Sequence, residues 1–296
     1  MSSHHIIDRR RLLALAGGLL GGTALASRAA WAEGSSMAAR QGQAAFESSH
    51  LYPGSGVKLS VSALKAMGEN VLALTFDDGP DPVNDREIMR ILAEYKAAAT
   101  FFVIGRNAQR HMDVVAEMVA AGHEIGNHSF NHPMLTSKDV DQQAQELRQT
   151  NDLLALAGVP VRWFRPPYGD FDSLTVTVAR AEGMETILWS VDSRDWKGGA
   201  PSAIAGRVTS HLTPGAVVLM HSTRHTSVQA LIEIMASARA SGYRFVTMSQ
   251  WKEIMLRSVP PAAQTRPGQL APMPAVAVVP TITPFTIPIK PTAALY

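Results

Sequence analysis

Residues 71–80 read Val-Leu-Ala-Leu-Thr-Phe-Asp-Asp-Gly-Pro. Val71 to Phe76 form a short, nearly continuous apolar run, the pattern of a strand buried on both faces. Two carboxylates follow without a break. Asp, Gly and Pro alone would make an ordinary turn. At the end of a buried strand, however, two carboxylates need partners. Working outward, similar runs recur at Thr100–Ile104, Glu124–Gly126, Trp163–Arg165, Thr186–Val191, Ala216–Met220 and Arg244–Thr247. Amphipathic stretches lie between them: Arg86–Tyr95, Ala108–Ala121, Ser137–Leu156, Ser173–Glu182, Ser202–His211 and Ser227–Ser241. Gly122, Gly158, Gly183 and Gly242 fall just past four of these, where a helix wants a left-handed residue. Strands alternating with helices imply parallel strands joined by right-handed crossovers. Seven such strands fit an α/β fold, either a barrel or a doubly wound sheet.

Five strand ends carry unusual polar groups. The first runs into Asp77 and Asp78, the third into His128, the fourth ends on Arg165, the fifth reaches Asp192 and the sixth His221. In βα-barrels chemistry collects at this end, because the loops there converge on one mouth. His128-Ser129-Phe130-Asn131-His132 spaces two imidazoles four residues apart, which on a helical turn puts both rings on one face. With Asp78 as a third ligand, two histidines and a carboxylate leave a fourth metal position open for water. Asp77 then stands where it can take a proton from that water. Arg165, stiffened by Pro166 and Pro167, suits orienting Asp77. His221 is placed to act as general acid toward a leaving nitrogen, and a carboxylate such as Asp195 would raise its pKa. Asp192 adds a carboxylate nearby and is read as a substrate contact.

The composition narrows the chemistry. The chain has no cysteine, so it has no disulfide, thiolate metal site or cysteine nucleophile, and any metal must be held by imidazole and carboxylate. The net charge of +2 comes from the N-terminus. Without the first 32 residues, which hold four arginines and one aspartate, 23 basic residues face 24 acidic ones, a net of −1. A near-neutral body gives no electrostatic case for nucleic acid or an anionic membrane. It suits a neutral or mixed-charge substrate.

The two ends differ from the body. Residues 1–32 read as an export signal. Arg9-Arg10-Arg11-Leu12-Leu13 opens it, an apolar run of 15 residues extends to Ala26, and Ala30-Trp31-Ala32 closes it. As a helix the run is about 22 Å long, short of the roughly 20 residues of a spanning helix. The paired arginines resemble a twin-arginine signal, so the mature chain is expected outside the cytoplasm, periplasmic or extracellular, without a stable membrane span. Residues 33–68 form a lead-in, 69–258 the catalytic body and 259–296 a Pro-rich tail.

In order along the chain, Thr75-Phe76-Asp77-Asp78-Gly79-Pro80, His128-Ser129-Phe130-Asn131-His132, Arg165-Pro166-Pro167-Tyr168, Asp192 to Trp196 and Leu219-Met220-His221 resemble the five motifs of the polysaccharide deacetylases, carbohydrate esterase family 4. The resemblance spans about 69–258. It implies a distorted (β/α)7 barrel and a hydrolase that removes N-acetyl groups from N-acetylglucosamine-type residues of a glycan such as peptidoglycan, chitooligosaccharide or exopolysaccharide. It implies one divalent metal ion on Asp78, His128 and His132, zinc first, with cobalt, nickel or manganese also admissible. It further implies that Arg165 orients Asp77, that Asp195 pairs with His221, that the Tyr168 N–H helps hold the oxyanion, and that Trp196 and Leu219 wall the acetyl pocket. O-acetyl ester hydrolysis and a non-catalytic glycan-binding role are the alternatives. Two departures stand out. The fifth-motif histidine is often followed by Asp, here Ser222, and the helix after the first motif often begins Thr-Pro, here Asn84-Asp85-Arg86.

Overall fold

The computed structural model describes residues 61–258, with Tyr52, Pro53 and Ser55 before them. The export signal, most of the lead-in and the Pro-rich tail lie outside the described residues. The strands are β1 (Val71–Asp77), β2 (Thr100–Val103), β3 (Glu124–Asn127), β4 (Trp163–Phe164), β5 (Glu185–Thr186), β6 (Val191–Asp192), β7 (Ala216–His221) and β8 (Arg244–Val246). The helices are α1 (Val61–Ala66), α2 (Asn84–Glu94), α3 (Gly105–Arg110), α4 (Met112–Ala120), α5 (Val140–Leu156), α6 (Ser173–Ala181), α7 (Pro201–Thr209), α8 (His225–Ala240) and α9 (Met248–Ser258). All strand pairings are parallel, in the order β5-β4-β3-β2-β1-β7-β6. β8 pairs the first three residues of β1 and β2 pairs the last three, so the two share one edge of β1. The result is a curled parallel sheet wrapped by helices, a distorted (β/α)7 barrel. All four glycines expected beyond helix ends have positive φ.

Strand alternation sorts β1 into two rows. Leu72, Leu74 and Phe76 face the helices and pack with Ile88, Ile91 and Leu92 of α2 and Leu231, Ile234 and Met235 of α8. Val71 and Ala73 face the interior with Phe102, Trp163, Val217, Leu219 and Val246. Each fully buried side chain of this kind contributes about 1.5–3 kcal/mol. Tyr52 and Leu64, from the lead-in, join the interior cluster, and the Tyr52 ring lies 5.7 Å from that of Trp163. Continuing the inward row by twos carries it through Thr75 to Asp77. The same step on β7 carries Val217 and Leu219 to His221. The two residues end adjacent rows, and they are register partners.

Several expected elements differ. The strand read at Thr186–Val191 is two short pieces, β5 and β6. Between them Ile187 N–H donates to Phe164 O on one side, and Ser190 N–H to Val217 O on the other. The segment thus passes from one edge of the sheet toward the other, and the Ile187 and Leu188 carbonyls are taken by the Arg165 guanidinium. The helix read at Ala108–Ala121 is α3 and α4, broken at His111 with φ −134°. The start of the Ser137–Leu156 helix is displaced to Val140, where Asp139 caps it by accepting the Gln142 N–H. α9 has no counterpart in the sequence reading. It buries Trp251, whose Nε1 donates to Gly215 O at 2.8 Å.

Candidate active site

The mouth of the barrel collects the strand-end groups. Arg165 continues the inward row begun by Trp163, and it is fully buried. Its Nη1 donates to Thr75 Oγ1 at 2.7 Å and to Asp77 Oδ1 at 2.8 Å. Nη2 donates to Leu188 O at 2.9 Å. The guanidinium carbon sits 4.1 Å above the centre of the Phe102 ring. A side chain at Gly126 would strike that ring at 2.5 Å, so the glycine on β3 lets Phe102 lie beneath the arginine. Burial works to lower the Arg165 pKa, and the Asp77 carboxylate opposes it. The pair fixes Asp77 through Oδ1 and leaves Oδ2 facing His128, 3.7 Å from its Nε2.

Asp78, His128 and His132 each present one ligand atom, all within 4.8 Å of one another. Asp78 Oδ1 is 3.2 Å from His132 Nε2 and 3.6 Å from His128 Nε2. This buried oxygen accepts no well-formed hydrogen bond, an unpaired polar atom that a cation would satisfy. His128 Nδ1 lies 2.7 Å from Arg165 O. A carbonyl can only accept, so Nδ1 carries the proton and Nε2 turns its lone pair to the cluster. Burial holds the His128 pKa down, which favours the neutral ligand form. Burial works to raise the Asp78 pKa, but the His132 and His128 imidazoles outweigh it and hold the carboxyl well below the usual range. Two imidazole nitrogens and one carboxylate oxygen are the donor set of an open divalent-metal site.

The helical turn expected at residues 128–132 is absent. Ser129 and His132 both have positive φ, 61° and 62°, and the segment is a loop. The Glu146 carboxylate of α5 gathers it by accepting from Phe130 N–H, Asn131 N–H and Asn131 Nδ2. Asn127 Oδ1 accepts the Ser129 N–H, and Ser129 Oγ the His132 N–H. The rings end 4.9 Å apart. Asp78, Tyr168 and Arg194 are likewise left-handed, at 73°, 61° and 54°. Five of the six non-glycine residues with positive φ among those described therefore lie in the motif loops, where surrounding contacts must hold the strain.

On β7, His221 Nδ1 is 2.7 Å from Asp195 Oδ1, and its backbone N–H donates to Asp195 Oδ2 at 2.8 Å. Ser227 Oγ also donates to that buried carboxylate. Burial works to lower the His221 pKa, but Asp195 outweighs it and raises the imidazole to about 9. Tyr168 is 60% exposed, its ring 4.5 Å from that of His132. Its backbone N–H donates to no other described residue. Trp196 is 38% exposed, and Leu219 is buried at the top of the interior cluster. Asp192 is buried and accepts the Arg194 N–H at 2.8 Å.

The family model for polysaccharide deacetylases matches residues 65–187. A peptidoglycan-N-acetylglucosamine deacetylase of Bacillus cereus is 37% identical over 193 residues, 62% of this chain and 88% of that protein. The chain belongs to the polysaccharide deacetylase family. Peptidoglycan-N-acetylmuramic acid deacetylase PdaC of Bacillus subtilis is 36% identical over 187 residues, 63% of this chain but only 39% of PdaC's length. The solved PdaC structure superimposes with a TM-score of 0.61 at 35% identity, covering 64% of this chain and 93% of the other. BA3943 of Bacillus anthracis, described as a CE4 family pseudoenzyme, matches with a TM-score of 0.60 at 32% identity, over 62% of this chain and 65% of that one. Within this member of the family, the sequence reading did not single out Thr75, Asn107 or Glu146, which hold Arg165, the Asp78 carbonyl and the histidine loop. Thr75 carries a signal, a polar residue within an apolar strand, whereas nothing local marks Asn107 or Glu146.

Proposed function

We propose that the chain is an exported, metal-dependent N-deacetylase that releases acetate from N-acetylglucosamine-type residues of a cell-wall polysaccharide or its fragments. The observation that carries this reading is the placement of Asp77 and His221 at the tops of neighbouring inward rows, beside the cluster of Asp78, His128 and His132. A divalent ion on those three residues, zinc first, would polarise the acetyl carbonyl and acidify water. Asp77 Oδ2, the oxygen free of Arg165, takes a proton from the attacking water. The water oxygen adds to the acetyl carbon, and the Tyr168 N–H donates to the developing oxyanion. His221, held through Nδ1 by Asp195, gives its Nε2 proton to the sugar nitrogen as the C–N bond breaks. Trp196 and Leu219 bound the acetyl group. Export by the twin-arginine route fits a cell-wall substrate, and no described helix is long and apolar enough to cross a membrane.

Acetate release by metal-loaded protein tests the reading, with peptidoglycan, chitooligosaccharides and acetylxylan as substrates. Release from an amide substrate supports it. Release from acetylxylan alone would make the chain an esterase, and no release from a folded, metal-loaded protein would favour a non-catalytic glycan-binding role. The same assay reads pH dependence. His221 must be protonated to act as an acid, so kcat/KM falls as pH rises through its pKa. Asp195→Asn removes the charge that raises this pKa, so the alkaline limb should move to lower pH by about 1–3 units. An unmoved limb would assign it to another group.

A further inference from the structure

The two departures from the family pattern meet in space. Asp85, the second residue of α2, is fully buried, and its Oδ2 accepts the Asp81 N–H at 2.6 Å. Asp85 N–H donates back to Asp81 O at 3.0 Å. Ser222, directly after His221, is also buried. Its N–H and Oγ both donate to Asp77 O, at 3.1 and 3.3 Å. Gly79 separates the two side chains so narrowly that a Cβ there would lie 2.7 Å from Ser222 Oγ and 2.8 Å from Asp85 Oδ2. Asn107 Nδ2 holds Asp78 O, and Ile104 N–H holds Gly79 O. Around the turn that carries Asp77 and Asp78, Asn107 and Ile104 thus hold the Asp78 and Gly79 carbonyls, Ser222 holds the Asp77 carbonyl, and Asp85 holds the Asp81 N–H that follows.

We propose that Asp85 and Ser222 are a coupled pair of positioning residues that aims the Asp77–Asp78 turn, their carboxylate and hydroxyl meeting across Gly79. Ser222 presents its hydroxyl from just past β7, and Asp85 its carboxylate from the facing helix α2. Burial pushes the Asp85 carboxyl up to about 7, with Asp81 N–H and Ser222 opposing the rise. Its Oδ1 is buried without a partner, so the group is held in place by Oδ2 alone. Neither residue touches substrate. Each acts through the main chain of the turn.

The inference rests on reading Asp77 as base and Asp78 as ligand. Its test is a double-mutant cycle in the full chain: Asp85→Ser, Ser222→Asp and both together, with Ser222→Ala as a milder probe that keeps the carboxylate. Three quantities are read: thermal midpoint, Co²⁺ affinity by titration, and kcat and KM separately. Supporting groups of this kind are worth about 10–100-fold in metal affinity or activity. Each single exchange should lower kcat and Co²⁺ affinity in that range with KM little changed, and the double exchange should recover most of the loss. Ser222→Ala should lose less, in the same direction. Additive losses in the double variant would overturn the proposal. So would a lowered midpoint with native kcat and Co²⁺ affinity, which would show that the pair only stabilises the fold. If wild type binds Co²⁺ but deacetylates nothing, the functional reading fails, and the cycle in Co²⁺ affinity still decides the coupling.

Discussion

His128→Ala should remove bound metal and deacetylase activity together while leaving the fold in place. The imidazole contributes twice. Its Nε2 is one of only three ligand atoms in the cluster, and its Nδ1 ties the histidine loop to the Arg165 carbonyl at 2.7 Å. Changes to groups that merely support ligands cost about 10–100-fold in metal affinity. Loss of a ligand itself should exceed that range. With the ion gone, Asp78 Oδ1 would stay buried without a cation, so the carboxyl would take up a proton more readily. Metal content after dialysis, Co²⁺ titration and acetate release check this, with circular dichroism to confirm the fold. The loop's other ties do not involve the His128 ring. Glu146 still accepts from Phe130 and Asn131, and Asn127 from Ser129. A variant that kept stoichiometric metal and native activity would remove His128 from the ligand set.

The strand-end logic was legible because it depends on alternation, which local sequence encodes. Val71, Ala73, Thr75 and Asp77 share a face whatever the rest of the chain does, as do Val217, Leu219 and His221. The roles implied for Arg165 and Asp195 drew on the family resemblance, and the geometry brings both to their expected partners. The helical turn at His128–His132 was misread because spacing of four has more than one solution. Two left-handed residues and a distant carboxylate, Glu146, bring the rings together as well as a helix would. Glu146 lies one and a half dozen positions on, within what reads as an ordinary amphipathic helix, so nothing local announces it. The split of the fifth strand has a similar cause. Ile187 and Leu188 are apolar and strand-like, and only the buried Arg165 guanidinium reveals that their carbonyls are engaged elsewhere. Ser222 and Asp85 were visible as departures, but their contact across Gly79 depends on how α2 returns to the sheet.

Asp77→Asn should lower kcat by about 10²–10⁴-fold, the range of a general acid–base group, while metal stays bound. That corresponds to about 2.7–5.5 kcal/mol of transition-state stabilisation. The substitution suits the question because an amide has the carboxylate's shape. Its oxygen can still accept from Arg165 Nη1, so the guanidinium need not move, but it cannot take a proton from water. KM should change little, because the lost interaction is with the reacting proton rather than the bound sugar. Stability is a separate matter. Arg165 is fully buried and its charge would lose its only carboxylate partner; breaking such a pair costs about 3–5 kcal/mol. The thermal midpoint should therefore fall, and kcat must be measured well below the new transition. Arg165→Met separates the two effects. It also destabilises the fold, but it leaves Asp77 chemically able to accept a proton, so its kcat should fall through misorientation and by less than in Asp77→Asn. Equal losses in the two variants would mean that orientation, and not proton transfer, is what Asp77 supplies. A kcat within a few-fold of wild type in Asp77→Asn would place the base on another group at the mouth.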